Sequence, residues 1–196
     1  MKRFLAVFLF LLLASPARAD APTHWNINPS FSTLTFAGKQ MGTDFKGTFE
    51  KYTADINFDP ARLQDSSVKI DVDTGSFSSG DKDRDTAALT RDWFDAGAFP
   101  VARFAAASFK KTGNNAYVAD GTLTIKGITV PVQLPFTLEI TQDAPKILKA
   151  HAKGSVTLDR SKFSLGGGQW ADTSVIANEV PVTVHITAID QGMGHF

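Results

Sequence analysis

The stretch Gly121–Ile140, GTLTIKGITVPVQLPFTLEI, decides how the rest of the chain is read. From Val130 onward every second residue is apolar: Val130, Val132, Leu134, Phe136, Leu138 and Ile140. Between them stand Pro131, Gln133, Pro135, Thr137 and Glu139. A period of two puts one set on each face of an extended strand, whereas a helix would scatter the same side chains around its circumference. Leu123 and Ile125 supply the oily face of a preceding strand. Lys126-Gly127 is the turn between the two, where glycine takes the positive φ that a tight hairpin needs. Pro131 and Pro135 share one parity, so their missing N–H groups fall on the same side of the strand. Proline cannot donate to a ladder. The strand is therefore expected to be poorly paired along one side, a seam where a closed sheet can open.

Working outward, extended segments recur on both sides. Trp25 to Asn28, Phe31 to Phe36, Phe45-x-Gly47-x-Phe49 and Ile56 to Phe58 are short strands, with Gly38 to Asp44 read as a loop. Val68, Ile70 and Val72 alternate with Lys69, Asp71 and Asp73. Ala102 to Lys110, Ile147 to Leu158 and Val180 to Ala188 complete the series, with Gln142 to Pro145 as a further loop. Ser78 to Pro100 lacks a period of two. Asp83 or Asp85 can cap a short helix there, and Thr90 a second turn holding Trp93 and Phe94. At least eight strands without βαβ repeats predict an antiparallel, all-β fold. Closure would remove the exposed edges of so long a sheet. The reading is a closed antiparallel barrel of about eight strands, lipocalin-like, with one long connection carrying one or two short helices. A two-sheet sandwich is the competing architecture, since it would bury the same alternating faces.

The first nineteen residues stand apart. Lys2 and Arg3 precede an apolar run from Phe4 to Ala14, and Ala17-Arg18-Ala19 matches a small-x-small cleavage site. The run falls short of the ~20 apolar residues that span a bilayer. The expectation is a signal peptide cut before Asp20, export to the periplasm, and one mature domain over 20–196. Without those nineteen residues, three of the 20 basic side chains are lost and none of the 20 acidic ones. The slightly acidic remainder has no general attraction to nucleic acid. The chain has no cysteine, which excludes disulfides and thiolate chemistry. It has 16 phenylalanines against 2 tyrosines. Phenylalanine brings buried area without a polar handle. That composition suits an ordinary aromatic core, or a greasy cavity that does not hydrogen-bond its contents.

Motifs for catalysis are missing. His24, His151, His185 and His195 do not share metal-ligand spacing, and no Gly-x-Ser-x-Gly elbow or phosphate loop is present. Gly166-Gly167-Gly168 follows a strand without a helix and reads as a bend. The cluster Asp81-Lys82-Asp83-Arg84-Asp85 has paired carboxylates, which suit acid–base work or, more simply, helix capping and an ion pair.

Several segments together resemble the YceI-like family. They are Trp25 with Pro29-Ser30, Phe45-x-Gly47-x-Phe49, Ile56-Asn57-Phe58-Asp59-Pro60 and Arg84-Asp85. Trp93-Phe94-Asp95, Phe99-Pro100, Phe104, Gly121 to Val132, Asp159-Arg160-x-x-Phe163 and Glu179-Val180 continue the order. Val130 departs from it, at a position where the family often has lysine. The resemblance implies a barrel that holds a long isoprenoid, a polyprenyl phosphate or a ubiquinone-like lipid, without catalysis and with no required cofactor. The wall is expected from Phe36, Phe45, Phe49, Phe58, Phe94, Phe104 and Phe136, with Arg84 and Arg160 as polar contacts. Expected partners are that lipid or quinone and, transiently, a membrane; nucleic acid is not expected, and a homodimer is compatible. Two alternatives stand beside this reading: an enzyme or redox partner acting on a bound quinone or prenyl pyrophosphate, and a ligand-free interaction module with a filled interior.

Overall fold

A computed structural model of the chain describes residues 22–145 and 147–190; the expected signal peptide and the tail from Gln191 lie outside them. Among the described residues eleven strands follow one another. They are β1 (His24–Ile27), β2 (Thr33–Gln40), β3 (Thr43–Phe49), β4 (Tyr52–Asn57), β5 (Ser67–Asp73) and β6 (Phe77–Ser78), then β7 (Val101–Gly113), β8 (Ala116–Ile125), β9 (Ile128–Ala144), β10 (Ile147–Asp159) and β11 (Glu179–Asp190). One α-helix, α1 (Lys82–Ala88), stands between β6 and β7.

Eight strands close a ring in the order β1-β4-β5-β7-β8-β9-β10-β11. β1 returns to β11 through Asn26–Ile189 and Ile27–Ala188. The architecture is thus the closed antiparallel barrel, not the sandwich. The other three strands prolong the ring past a bend. β1 and β2 both pair with β11, β4 with β1 and β3 with β2, β5 with β4 and β6 with β3. Six short strands are therefore three bent ribbons. At the bends, side chains replace the ladder, as buried backbone groups require. The Lys51 N–H donates to Ser76 Oγ at 3.0 Å, and Ser76 Oγ donates to the Asp73 carbonyl at 2.7 Å. The fully buried Thr74 hydroxyl donates to the Phe99 carbonyl at 2.9 Å, fastening the long connection to the wall.

The hairpin that organised the sequence forms as read. Lys126 and Gly127 have φ of 51° and 75°, the two positive values of a type I′ turn. β8 and β9 pair from Ile125–Ile128 to Ala116–Thr137. β9 and β10 pair only between Ile147–Ala144 and Gly154–Phe136. Ile128 to Pro135 therefore has no ladder partner on its β10 side. A two-residue turn makes Ile125–Ile128 a hydrogen-bonded pair, and such pairs alternate. The nitrogens of Pro131 and Pro135 consequently face away from β8, towards the gap. The expected seam is present.

Two aromatic layers fill the barrel ends. At one end Trp25, Phe58, Phe109 and Tyr117 are buried with Leu138 and Ile186, and the Trp25 indole N–H donates to the Phe58 carbonyl at 2.9 Å. At the other, Phe94, Phe163, Leu165 and Ile125 pack with Ala88 and Ala102.

Three local readings change. The expected loop Gly38 to Asp44 is mostly strand, closed by a two-residue turn at Met41-Gly42 with φ of 49° and 79°. The expected loop at Gln142 to Pro145 is largely strand too, since β9 runs to Ala144. The helix cap is Asp81, whose carboxylate accepts the N–H groups of Asp83 and Arg84 at 3.1 and 2.9 Å. Asp85 instead accepts from the Ser79 N–H and hydroxyl at 2.8 and 2.6 Å. The turn expected after Thr90 forms around Trp93 and Phe94, closed by the Trp93 and Asp95 N–H groups on the Thr90 carbonyl.

Candidate binding chamber

Between the two aromatic layers lies a chamber of about 510 Å³. That is within the range of ~300–1,000 Å³ usual for small-molecule sites. Its walls are the inward faces of the alternating strands: Leu34 and Phe36 of β2, Ile70 and Val72 of β5, Val132 and Leu134 of β9, Val156 and Leu158 of β10, and Val180, Val182, Val184 and Ile186 of β11. Toward the Trp25 end it abuts a smaller void of about 90 Å³, with Ile70, Phe104, Leu134, Val184 and Ile186 bordering both. At the opposite end the lining turns polar, with Lys39, Gln40, Asp81, Asp83 and Arg84.

Phe36, Phe45, Phe49, Phe94 and Phe104 all line the chamber. The first four form a continuous aromatic chain with Phe77, which sequence reasoning missed because β6 has only two residues. Phe36 and Phe77 stack with centroids 4.8 Å apart. Phe58 and Phe136 fall elsewhere. They border the smaller void and pack edge to face with each other at 5.8 Å, within the closed end. Their parity is right, but Phe58 lies just past the end of β4 and Phe136 too far along β9.

Glycines make room for the aromatic chain. Gly38 stands opposite Phe45, and Gly47 opposite Phe36, across the β2–β3 pair. A β-carbon on Gly38 would lie 2.5 Å from the Phe45 ring. The Phe45-x-Gly47-x-Phe49 pattern is thus half of a cross-strand exchange, and Phe36-x-Gly38 is the other half.

The two arginines have different situations. Arg84 lies at the mouth with its guanidinium 4.0 Å above the Phe45 ring, a cation–π contact. Its Nε–H donates to Gln40 at 3.3 Å and one terminal nitrogen to Ser79 Oγ at 3.1 Å. The other stands 3.9 Å from the Asp81 carboxylate, beyond hydrogen-bond reach. Arg160 is 4% exposed. Nε donates to the Ala177 carbonyl, Nη1 to Leu165 and Gly166, and Nη2 to Trp170 and Ile176, at 2.7 to 3.1 Å. Those are all five N–H groups that a guanidinium has. Arg160 borders the chamber but has no donor left for a guest; it organises the loop from Leu165 to Ala177. Burial pushes its pKa below the ordinary arginine value. The sequence showed the arginine and the glycines but not that Gly166, with φ of 76°, exists to let the backbone reach the guanidinium.

Among the described residues no cluster of histidine and carboxylate side chains is placed to hold a metal ion.

Three comparisons bear on this arrangement. Residues 25–188 match the family model described as a YceI-like domain. A UPF0312 protein of Pseudomonas fluorescens is 30% identical over 163 residues, 80% of each chain. BcnA of Burkholderia cenocepacia, known from a crystal structure, is 33% identical and superposes with a TM-score of 0.76 over 83% of this chain and 99% of that one. A polyisoprenoid binding domain from Saccharophagus degradans, implicated in plant cell wall breakdown, shares the fold at a TM-score of 0.62 and 13% identity, covering 86% of this chain and 98% of that one. With its barrel, its Phe45-x-Gly47-x-Phe49 exchange and this match over nearly every described strand, the chain belongs to the YceI-like domain family.

Proposed function

We propose that the chain is an exported, non-catalytic binding protein that carries a long isoprenoid lipid inside its barrel, in the periplasm. The observation that carries this reading is the apolar chamber of about 510 Å³ within a closed ring of strands. Each CH₂ buried there contributes ~0.8 kcal/mol. A branched hydrocarbon tail therefore gains affinity from area, without needing hydrogen bonds. The binding domain from Saccharophagus degradans supports the ligand class by its fold. The leader with Lys2, Arg3 and Ala17-Arg18-Ala19 supports export, and no helix among the described residues is long and apolar enough to cross a membrane.

The mouth bears on the head group. Lys39 and Arg84 are accompanied there by Asp81 and Asp83, so cations and carboxylates are balanced. A polyprenyl phosphate asks for a surplus of positive charge; a neutral, quinone-type head does not. Met41, 78% exposed on the turn next to Gln40, offers an apolar point for transient contact with a bilayer. The enzymatic alternative relied on Asp83, Arg84, Asp85 and Arg160; Asp85 and Arg160 are taken up by Ser79 and by backbone carbonyls.

Native mass spectrometry of the mature protein purified from its host tests the reading. The expected result is a mass adduct that organic extraction removes and isoprenoid-loaded vesicles restore. A protein without adduct, which takes up nothing from such vesicles, would overturn it.

A further inference from the structure

Along the inward face of β10 the side chains change size. Val156 and Leu158 line the chamber, whereas Ala150, Ala152 and Gly154, on the same parity nearer the closed end, line the smaller void of about 90 Å³. Ala119 of β8 and Ala188 of β11 face that void too. These small residues leave a space that one larger side chain would close. Protein interiors keep few such voids, and an empty one costs stability.

The void is apolar throughout. No charged side chain borders it, and the Trp25 indole N–H, the one polar side-chain group in its lining, already donates to the Phe58 carbonyl. A space of that kind stays dry and takes hydrocarbon. A collar of Ile70, Phe104, Leu134, Val184 and Ile186 divides it from the chamber. Phe104 stacks on no other ring among the described residues, so it can turn without disturbing the aromatic chain of the chamber or the rings of the closed end. Past the void, Phe58 meets Phe109, Tyr117 and Phe136 edge to face at 5.2 to 5.8 Å, a plate that closes the barrel.

We infer that the void is the terminal pocket for the cargo's hydrocarbon tail and the gauge of its length: the tail enters first, its tip passes the Phe104 collar, and the Phe58 plate stops it. This rests on the carrier reading and adds to it the orientation of the guest and the length it can bury. Orientation follows from the lining. The charged side chains Lys39, Asp81, Asp83 and Arg84 stand at the mouth, and a polar head taken to the closed end would lose its water without gaining a partner. Length follows from volume. At the packing density of an interior, about 510 Å³ takes about four isoprene units and about 90 Å³ takes about one more. Anything beyond that length stays outside the mouth.

The test uses the mature protein, its Ala152→Leu and Ala152→Val variants, and all-trans prenols of three to eight isoprene units. Affinities are measured by tryptophan-fluorescence titration and checked by native mass spectrometry. Wild-type affinity should climb with each unit up to about five and then level off. Ala152→Leu fills the void. Prenols of three and four units should bind it as they bind wild type, whereas those of five and more should lose about tenfold or more, the worth of two buried carbon groups. Ala152→Val adds less bulk and should fall between. Thermal unfolding of the apo proteins provides the control, since filling an empty apolar space should leave the midpoint equal or higher. A midpoint lowered in both variants would mean that the void has no room, which overturns the pocket. Wild type and variants alike at every length, or a wild-type affinity that climbs to eight units without levelling, would overturn the gauge and leave the carrier reading standing. A loss equal at every length would put the shared head at the closed end, which also overturns it. If wild type binds no prenol, both readings fall.

Discussion

Phe36 lies across the β2–β3 pair from Gly47, and its ring occupies the space that a β-carbon there would need. The Ser78 carbonyl oxygen closes the same site from β6, 2.6 Å from where the β-carbon would be. The ring can turn but the backbone cannot. Gly47→Ala should therefore cost about 1–3 kcal/mol, the usual range for overpacking a filled site. Urea titration of the variant measures it. Gly97→Ala is the control, because nothing stands within 4 Å of a β-carbon there. Equal midpoints for the two variants would refute the exchange of ring for side chain.

Arg160 supports a loop with five hydrogen bonds, and lysine has three donors on a point charge. Arg160→Lys should leave at least two of the carbonyls from Leu165 to Ala177 unsatisfied. We expect a loss of about 2–4 kcal/mol, from bonds that are each charge-assisted. Limited proteolysis should then cut between Gly166 and Ala177 faster than in wild type. A variant that resists proteolysis and melts with wild type would show that the loop is held by other contacts, such as Trp93 against Trp170.

The seam between β9 and β10 depends on two prolines whose side chains are exposed, so replacing them does not touch the chamber wall. Pro131→Thr with Pro135→Thr returns two N–H groups to the unpaired edge. Each new bond is worth ~0.5–1.5 kcal/mol. Loss of proline loosens the unfolded chain by a similar ~0.4–1 kcal/mol. Net stability should hardly move, so amide exchange is the better measurement. Protection of 128–135 and of Ser155 to Asp159 should rise, and ligand exchange should slow. Unchanged protection would mean that the strands splay for another reason.

Acid should weaken the barrel through its surface carboxylates. The Arg103 guanidinium bonds Asp71 with both its arms, at 2.6 and 2.8 Å, and holds that carboxyl below the ordinary range. Lys110 and Gln133 do the same for Asp120, and the α1 N–H groups for Asp81. A depressed folded pKa means that the unfolded chain takes up protons first as pH falls. The stabilisation is then complete above the unfolded value of ~3.9 and disappears as pH drops through the lower folded values. The melting temperature should be flat from pH 7 to about 5 and fall steeply below about 4. Asp71→Asn should soften that fall, and a curve identical to wild type would remove Asp71 from the account.

Much of this molecule could be read along the chain. Alternation from Val130 to Ile140 gave a strand, its parity gave an inward face, and Lys126-Gly127 gave the turn, because each depends on neighbours a few residues apart. Pro131 and Pro135 likewise announced the seam, since a missing N–H is a property of the residue itself. The chamber was of another kind. Phe36 and Phe58 have the same composition and parity, yet one lines an open space and the other plugs the barrel end. That difference arises when β1 meets β11, more than 150 positions later, and sets how far along the axis each ring falls. Arg160 is the sharpest instance. Its charge suggested a guest, and folding surrounded it with five carbonyls from a loop that has no regular pattern. Local chemistry settles backbone form; which side chains share a space is settled by closure of the ring.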